Sequence, residues 1–241
     1  MIQINELSKK YNDKIIFENV SCSLDSHRIY SLAGVNGIGK STLLNAITQP
    51  YCMDSGIIEI DHIDNRKFES KFHFFYVPDN KDLFLNLTGR EYLKFVTKLY
   101  RQTSKESSEK LQKLSCAFHL EQSFDEYIGN YSLGMKQKIY LMAAFLSGAG
   151  NLILDEPFNG LDPECTAILK QILMEYRNEG KLVLFSIHNL DLAANFCDDV
   201  IFIDKQRKIL QFSNPQDFKQ LETLFFQKCV SYSGAVIPVI P

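Results

Sequence analysis

The 241-residue sequence predicts an α/β fold built on a parallel sheet, and three observations predict it. Short apolar runs at 29–33, 152–154 and 182–187 have the length and unbroken hydrophobicity of strands buried on both faces. The first of them enters a glycine-rich turn and the second ends on Asp155-Glu156, which is where doubly wound sheets bind ligands. Between 79 and 146 strand signals vanish and helix signals replace them. That stretch reads as a helical subdomain inserted in a core made of 1–78 and 147–225, with 226–241 as a tail.

The elements follow in chain order. Residues 1–8 alternate apolar and polar like a strand, opening an N-terminal β-subdomain, and 72–78 is a further strand. Thr88 and Glu91 have capping-box spacing, with Leu93, Val96, Leu99 and Tyr100 as the apolar stripe behind it. Residues 103–113 are polar and charged, a solvated helix or loop. Asp162-Pro163 sets an N-cap before a proline at the first helical position; Ile168, Ile172 and Tyr176 continue one face, and Gly180 closes the helix. Residues 200–204 and 208–212, joined by 205–207, read as a hairpin.

Composition bounds the function. Hydrophobic residues make up 45% and charged residues 23%, an ordinary globular balance. A net charge of −3 argues against nonspecific binding to nucleic acid or anionic lipid. The six cysteines are scattered, without C-x-x-C pairs, which points to reduced thiols in place of a disulfide framework or zinc site. No signal-peptide pattern opens the chain, and no apolar run approaches the roughly 20 residues of a membrane helix. Any membrane-crossing helices are expected from another chain.

Two motifs carry the chemistry. Residues 34–42, GVNGIGKST, fit G-x-x-x-x-G-K-S/T with an extra glycine at 37. Gly34, Gly37 and Gly39 let the backbone around Asn36 turn its N–H groups toward phosphate oxygens. Lys40 supplies a positive charge, Ser41 a hydroxyl for Mg²⁺, and the helix beginning near Thr42 (Leu43, Leu44, Ile47) its positive end. The second motif, 151–156, is a strand ending in two carboxylates: one can serve a Mg²⁺ shell while the other orients and deprotonates a water. A P-loop NTPase (RecA-like) core is the fold these two imply.

Between them stands 130–138, NYSLGMKQK, opening a helix striped by Ile139, Met142, Ala143 and Leu146. It resembles the signature motif of ABC ATPases. Gly160-Leu161-Asp162-Pro163 is similar to their D-loop, His188 to their H-loop and Tyr11 to their adenine-stacking aromatic. The resemblance runs from Tyr11 to about Asp204 and implies a head-to-tail pair of cassettes, identical or related, holding two ATP molecules. Ser132 and Gly134 of one cassette would meet the γ-phosphate bound by 34–42 of the other. Asp155 would serve Mg²⁺, Glu156 would be the general base, His188 would hold the γ-phosphate and water, and Asp162 would couple the sites. The alternatives are a core aromatic for Tyr11, a structural histidine for His188, and plain helix caps for Ser132 and Asp162.

Two positions depart from the family pattern. Asp79 stands where many members have the Q-loop glutamine, so its contact with Mg²⁺ would need a water bridge or loop movement; Leu133 replaces the commoner glycine. The resemblance implies an ATPase subunit peripheral on the cytoplasmic face of the membrane. There it would drive a separate permease, for export of a drug, peptide antibiotic or similar cargo. The docking face is expected at 79–95, where Leu83, Phe84, Leu85 and Leu87 are apolar and Lys81 and Arg90 are taken as exposed charges. The competing reading is a soluble cassette acting as an ATP-switched interaction module on ribosome or DNA, which one signature and no heptad arm count against.

Overall fold

The computed structural model of the protein describes residues 1–82, 84–102 and 104–229. In chain order the elements are β1 (Ile2–Tyr11), β2 (Lys14–Leu24), β3 (Ile29–Ala33), α1 (Lys40–Thr48), β4 (Ser55–Ile60), β5 (Ile63–Asp64) and β6 (Phe74–Val77). There follow α2 (Gly89–Leu99), α3 (Ser104–Phe118), α4 (Leu133–Ser147), β7 (Asn151–Leu154), α5 (Pro163–Asn178) and β8 (Leu182–Ile187). The last are α6 (Leu190–Phe196), β9 (Asp199–Ile203), β10 (Ile209–Ser213) and α7 (Phe218–Cys229).

These strands form two sheets. An antiparallel sheet has the order β2-β1-β4-β5, and a six-stranded sheet has the order β10-β9-β3-β8-β7-β6. The second is parallel from β9 to β6, with β10 antiparallel at its edge. Both faces of this sheet are buried, which is why its strands read as continuous apolar runs. Alternate side chains enter different cores: Val183, Phe185 and Ile187 of β8 pack with the helices α2 to α7, whereas Leu182 and Leu184 pack toward α1 and the antiparallel sheet.

The local signals mostly hold. Thr88 caps α2 with both arms of the capping box formed, Asp162 caps α5 ahead of Pro163, and β9 and β10 make the expected hairpin. The polar stretch from 104 is the start of α3; Thr103 lies outside the described residues.

Four expectations shift. The strand expected at 72–78 starts at Phe74, because residues 68–72 wind into a 3₁₀ turn. Leu99 is 48% exposed, so the buried stripe of α2 is Tyr92, Leu93 and Val96. On α5 the fully buried face is Cys165, Leu169, Leu173 and Tyr176, with Ile168 and Ile172 only flanking it. The tail expected from 226 begins inside α7, which runs to Cys229. Residues 230–241 lie outside the described residues, as does Leu83.

Candidate functional site

Strand register assembles the site. Ala33 of β3 is level with Ile187 of β8, Leu154 of β7 with Phe185 of β8, and Val77 of β6 with Leu154. The chain therefore leaves the carboxyl edge of the sheet at four neighbouring points, carrying Gly34, His188, Asp155 and Asp79. A hydrogen bond from Asp155 N to Val77 O, 2.8 Å, ties two of those exits together.

The loop from 34 to 39 needs its glycines. Gly37 has φ 73° and Gly39 φ 130°, a region L side chains rarely adopt, and a Cβ on Gly39 would sit 2.9 Å from Ile16 Cγ2. Gly39 precedes α1 without any side-chain cap, which leaves the first N–H groups of that helix to a ligand.

Beyond the loop lies a cavity of about 270 Å³, lined by Ile16, Asn36, Gly37, Gly39, Lys40, Ser41, Thr42, Asp79, Asp155, Glu156 and His188. Most residues singled out in the phosphate loop and the acidic pair thus share one wall with His188 and Asp79. Gly34 stands just behind, its carbonyl accepting from Lys40 Nζ at 2.8 Å.

Lys40 is buried, and desolvation lowers the pKa of its ammonium while Glu156 and Asp155 pull it back up. His188 Nδ1 is 3.4 Å from Lys40 Nζ, and its Nε2 is 2.8 Å from Glu156 Oε1. Burial, then Lys40, lowers the His188 pKa below its ordinary value, with Asp155 and Asp79 opposing. The close approach lacks hydrogen-bond alignment, and Glu156 Oε1 is buried without a donor. That fits its chemistry: burial first, with Asp155 and Asp79 adding and Lys40 opposing, raises the Glu156 carboxyl to about 7. Glu156 also holds a left-handed backbone, φ 50°, uncommon for a residue with a side chain and found at functional sites.

Two residues that sequence reasoning passed over support this pair. Ser186, fully buried, donates to Asp155 Oδ1 at 2.5 Å and accepts from Glu156 N at 2.8 Å. Gln137, buried on α4, donates to Pro157 O at 2.7 Å and so fixes the turn after Glu156. The available signal was a polar residue inside an apolar stripe, which must find a partner when buried.

The cavity walls suit a polyphosphate with a divalent cation. Three carboxylates face one ammonium, so a polyanion alone would meet excess negative charge, while the helix start and Lys40 favour phosphate. Among the described residues no three His, Cys, Asp or Glu side chains converge to hold a metal by themselves.

The other singled-out residues lie elsewhere. Ser132 accepts from Met135 N and caps α4. A Cβ on Gly134 would come 2.6 Å from Gly160 O, so the signature packs on the D-loop of the same chain. Asp162 accepts from Cys165 N at 2.7 Å and from Lys138 Nζ at 3.3 Å. None of Ser132, Gly134 and Asp162 lines the cavity. Tyr11 closes β1 at 50% exposure, outside the cavity, with Lys9 Nζ 4.9 Å from its ring centre; that exposure removes the core-packing alternative.

One charge expected at the docking face, Lys81, needs a correction. A groove of about 540 Å³ runs between the core and α2, lined by Tyr51, Phe74, Phe84, Phe95, Leu99 and Tyr140 among others. Neither Lys81 nor Arg90 lines it. Lys81, expected as an exposed charge, is only 4% exposed, and Arg90 is paired with Asp125 at 2.7 Å.

Comparison with known proteins agrees with this geometry. The profile of the ABC transporter family matches residues 17–159. The chain is 33% identical to the ABC transporter ATP-binding protein AlbC of Bacillus subtilis over 230 residues, 91% of this chain and 95% of the relative. It is 30% identical to the lantibiotic transport ATP-binding protein SrtF of Streptococcus pyogenes, over 93% and 96% of the two chains. Among solved structures it superposes on the ATP-binding subunit of an ABC transporter with a TM-score of 0.86 at 26% identity, over 93% and 98%. The chain belongs to the ABC transporter family, as an ATP-binding subunit and an ATPase that powers transport.

Proposed function

We propose that this subunit hydrolyses ATP with Glu156 as general base, in a dimer that drives a separate permease. The observation that carries the reading is the buried Glu156 carboxylate, without a donor, beside Lys40 and His188 in the wall of the phosphate cavity. Residues 34–42 would cradle the phosphates, and Ser41 and Asp155, with Asp79 beyond them, would hold Mg²⁺, which when bound neutralises phosphate charge. Glu156 takes a proton from water as the water oxygen bonds to the γ-phosphorus. The bond from that phosphorus to the bridging oxygen of ADP breaks, and His188 holds the phosphate oxygens in place. Tyr11, exposed at the end of β1, would stack on the base.

Ser132, Gly134 and Asp162 stand apart from this cavity within one chain, which supports a head-to-tail partner completing the site. Residues 79–146 would move as the helical subdomain. Among the described residues no helix is long and apolar enough to cross a membrane. The permease would therefore be another chain, holding this one at the cytoplasmic face. Relatives named for lantibiotic transport and for SkfA peptide export favour export of a peptide cargo.

Glu156→Gln keeps the size of the side chain and loses its basic site. With Mg²⁺-ATP the variant should run as a dimer on size exclusion while turnover falls by at least about 10²-fold. Hydrolysis near the wild-type rate would remove Glu156 from this role.

A further inference from the structure

Lys81 is a buried cation that the reading above does not use. At 4% exposure its ammonium donates to the carbonyl oxygens of Pro78 and of Asp79, the latter at 3.1 Å. Among the described residues it makes no ion pair within 4.0 Å. An ammonium is taken out of water at a cost, and one whose contacts are two carbonyls of its own turn serves the shape of that turn.

The turn has two ends that matter. Asp79 lines the phosphate cavity, its charge felt by Glu156 and His188, while the Lys81 carbonyl accepts from Tyr140 Oη on α4 at 3.5 Å and Asp82 pairs with Lys136 of α4 at 3.8 Å. Asp79 is also short. A carboxylate on one methylene reaches the metal-bearing wall only if its backbone is held close to it.

We propose that Lys81 is a positioning residue for Asp79, its ammonium pinning the 78–79 carbonyls so that the short carboxylate is presented to the metal-bearing wall of the cavity. This rests on the reading of Asp79 as a residue on the Mg²⁺ side of the site. Lys81 acts through Asp79 and touches neither nucleotide nor metal.

The test is the Mg²⁺ dependence of ATP hydrolysis. Lys81→Met keeps the stem and removes the donors; Lys81→Arg restores them. Lys81→Met should raise the Mg²⁺ concentration for half-maximal rate by about tenfold, the scale of a lost outer-shell partner. At saturating Mg²⁺ its kcat should recover, and the affinity for a fluorescent ATP analogue in EDTA should be unchanged. Lys81→Arg should return the Mg²⁺ midpoint most of the way. A lower kcat at every Mg²⁺ concentration with an unmoved midpoint is what a merely structural lysine would give, and it overturns the proposal. If Lys81→Met does not fold, Lys81→Gln carries the test, with an intermediate midpoint supporting the proposal and an unmoved one overturning it.

Asp79→Asn separates the two claims. If it leaves the Mg²⁺ midpoint unmoved, the metal-side reading of Asp79 falls and the proposal with it. If Asp79→Asn shifts the midpoint and Lys81→Met does not, only the role of Lys81 falls. In the double variant Lys81→Met should add nothing to Asp79→Asn, because a positioning residue has no effect without the group it positions.

Discussion

Glu156 concentrates the physics of the site in one side chain. Its carboxyl is raised from an ordinary 4.5 to about 7, chiefly by burial, in protein free of nucleotide and metal. Between those two values the folded chain holds a proton that the unfolded chain has lost. The contribution of Glu156 to stability is therefore complete below about pH 4.5 and disappears as the pH rises through about 7. Melting curves of apo protein in EDTA check this: the stability of wild type relative to Glu156→Gln, which cannot titrate, should fall from pH 5 to pH 8. A difference independent of pH would mean that the carboxyl is not desolvated as its surroundings require. Ser186 shares the task, since one hydroxyl both accepts from Glu156 N and donates to Asp155 and so fixes the two acids relative to each other.

Helix ends are where sequence and packing meet at the scale of elements. The start of α2 is set by Thr88 Oγ1, which accepts from Glu91 N at 3.2 Å, and by Glu91 Oε2, which accepts from Thr88 N at 2.9 Å. Thr88→Ala should cost about 1 kcal/mol, a fall of roughly 2–4 °C in Tm for a chain of this size. Calorimetry reads it directly, and an unchanged Tm would show that tertiary packing alone holds this end. The start of α4 has a tighter constraint. Gly134 lies so close to Gly160 O that even a methyl group must displace the D-loop, so the start of the signature helix packs directly on the loop before α5.

On the scale of the molecule, the groove between the core and α2 is the face we propose for the permease. Tyr51 is 80% exposed and Phe84, Phe95 and Leu99 each more than 40%, so large apolar side chains cluster at the surface there. Ring contacts lead inward from it, Phe84 to Tyr92 at 5.1 Å and Tyr92 to Tyr140 at 5.3 Å, and Tyr140 Oη reaches the Lys81 carbonyl. A segment entering the groove would thus press on the turn that carries Asp79. Phe95→Asp or Leu99→Asp should release the protein from membranes of its own cell while basal hydrolysis stays unchanged, since neither residue lines the phosphate cavity. Fractionation followed by an ATPase assay checks both halves. Variants that stay on the membrane would place docking elsewhere, and a wild-type protein that instead follows ribosomes would favour the interaction-module reading.

What the sequence determined by itself was local chemistry. A phosphate loop needs glycines at fixed spacing, a strand buried on both faces needs an unbroken apolar run, and a helix start needs a cap; each is legible because its cause lies within a few residues. Residues 34–42, the pair Asp155-Glu156, Thr88 and Asp162 are therefore legible in the sequence, and most of the loop shares one cavity with the acidic pair. Tertiary structure alone decided which polar side chains are buried and whom they meet. Lys81 reads as a surface charge because lysines usually are, yet the 78–82 turn folds it inward. Ser186 becomes a partner of both acids only because Leu154 lies level with Phe185 in neighbouring strands, although 31 residues separate Asp155 from Ser186 along the chain. Burial and cross-strand register depend on distant segments meeting, and no spacing along the chain encodes them.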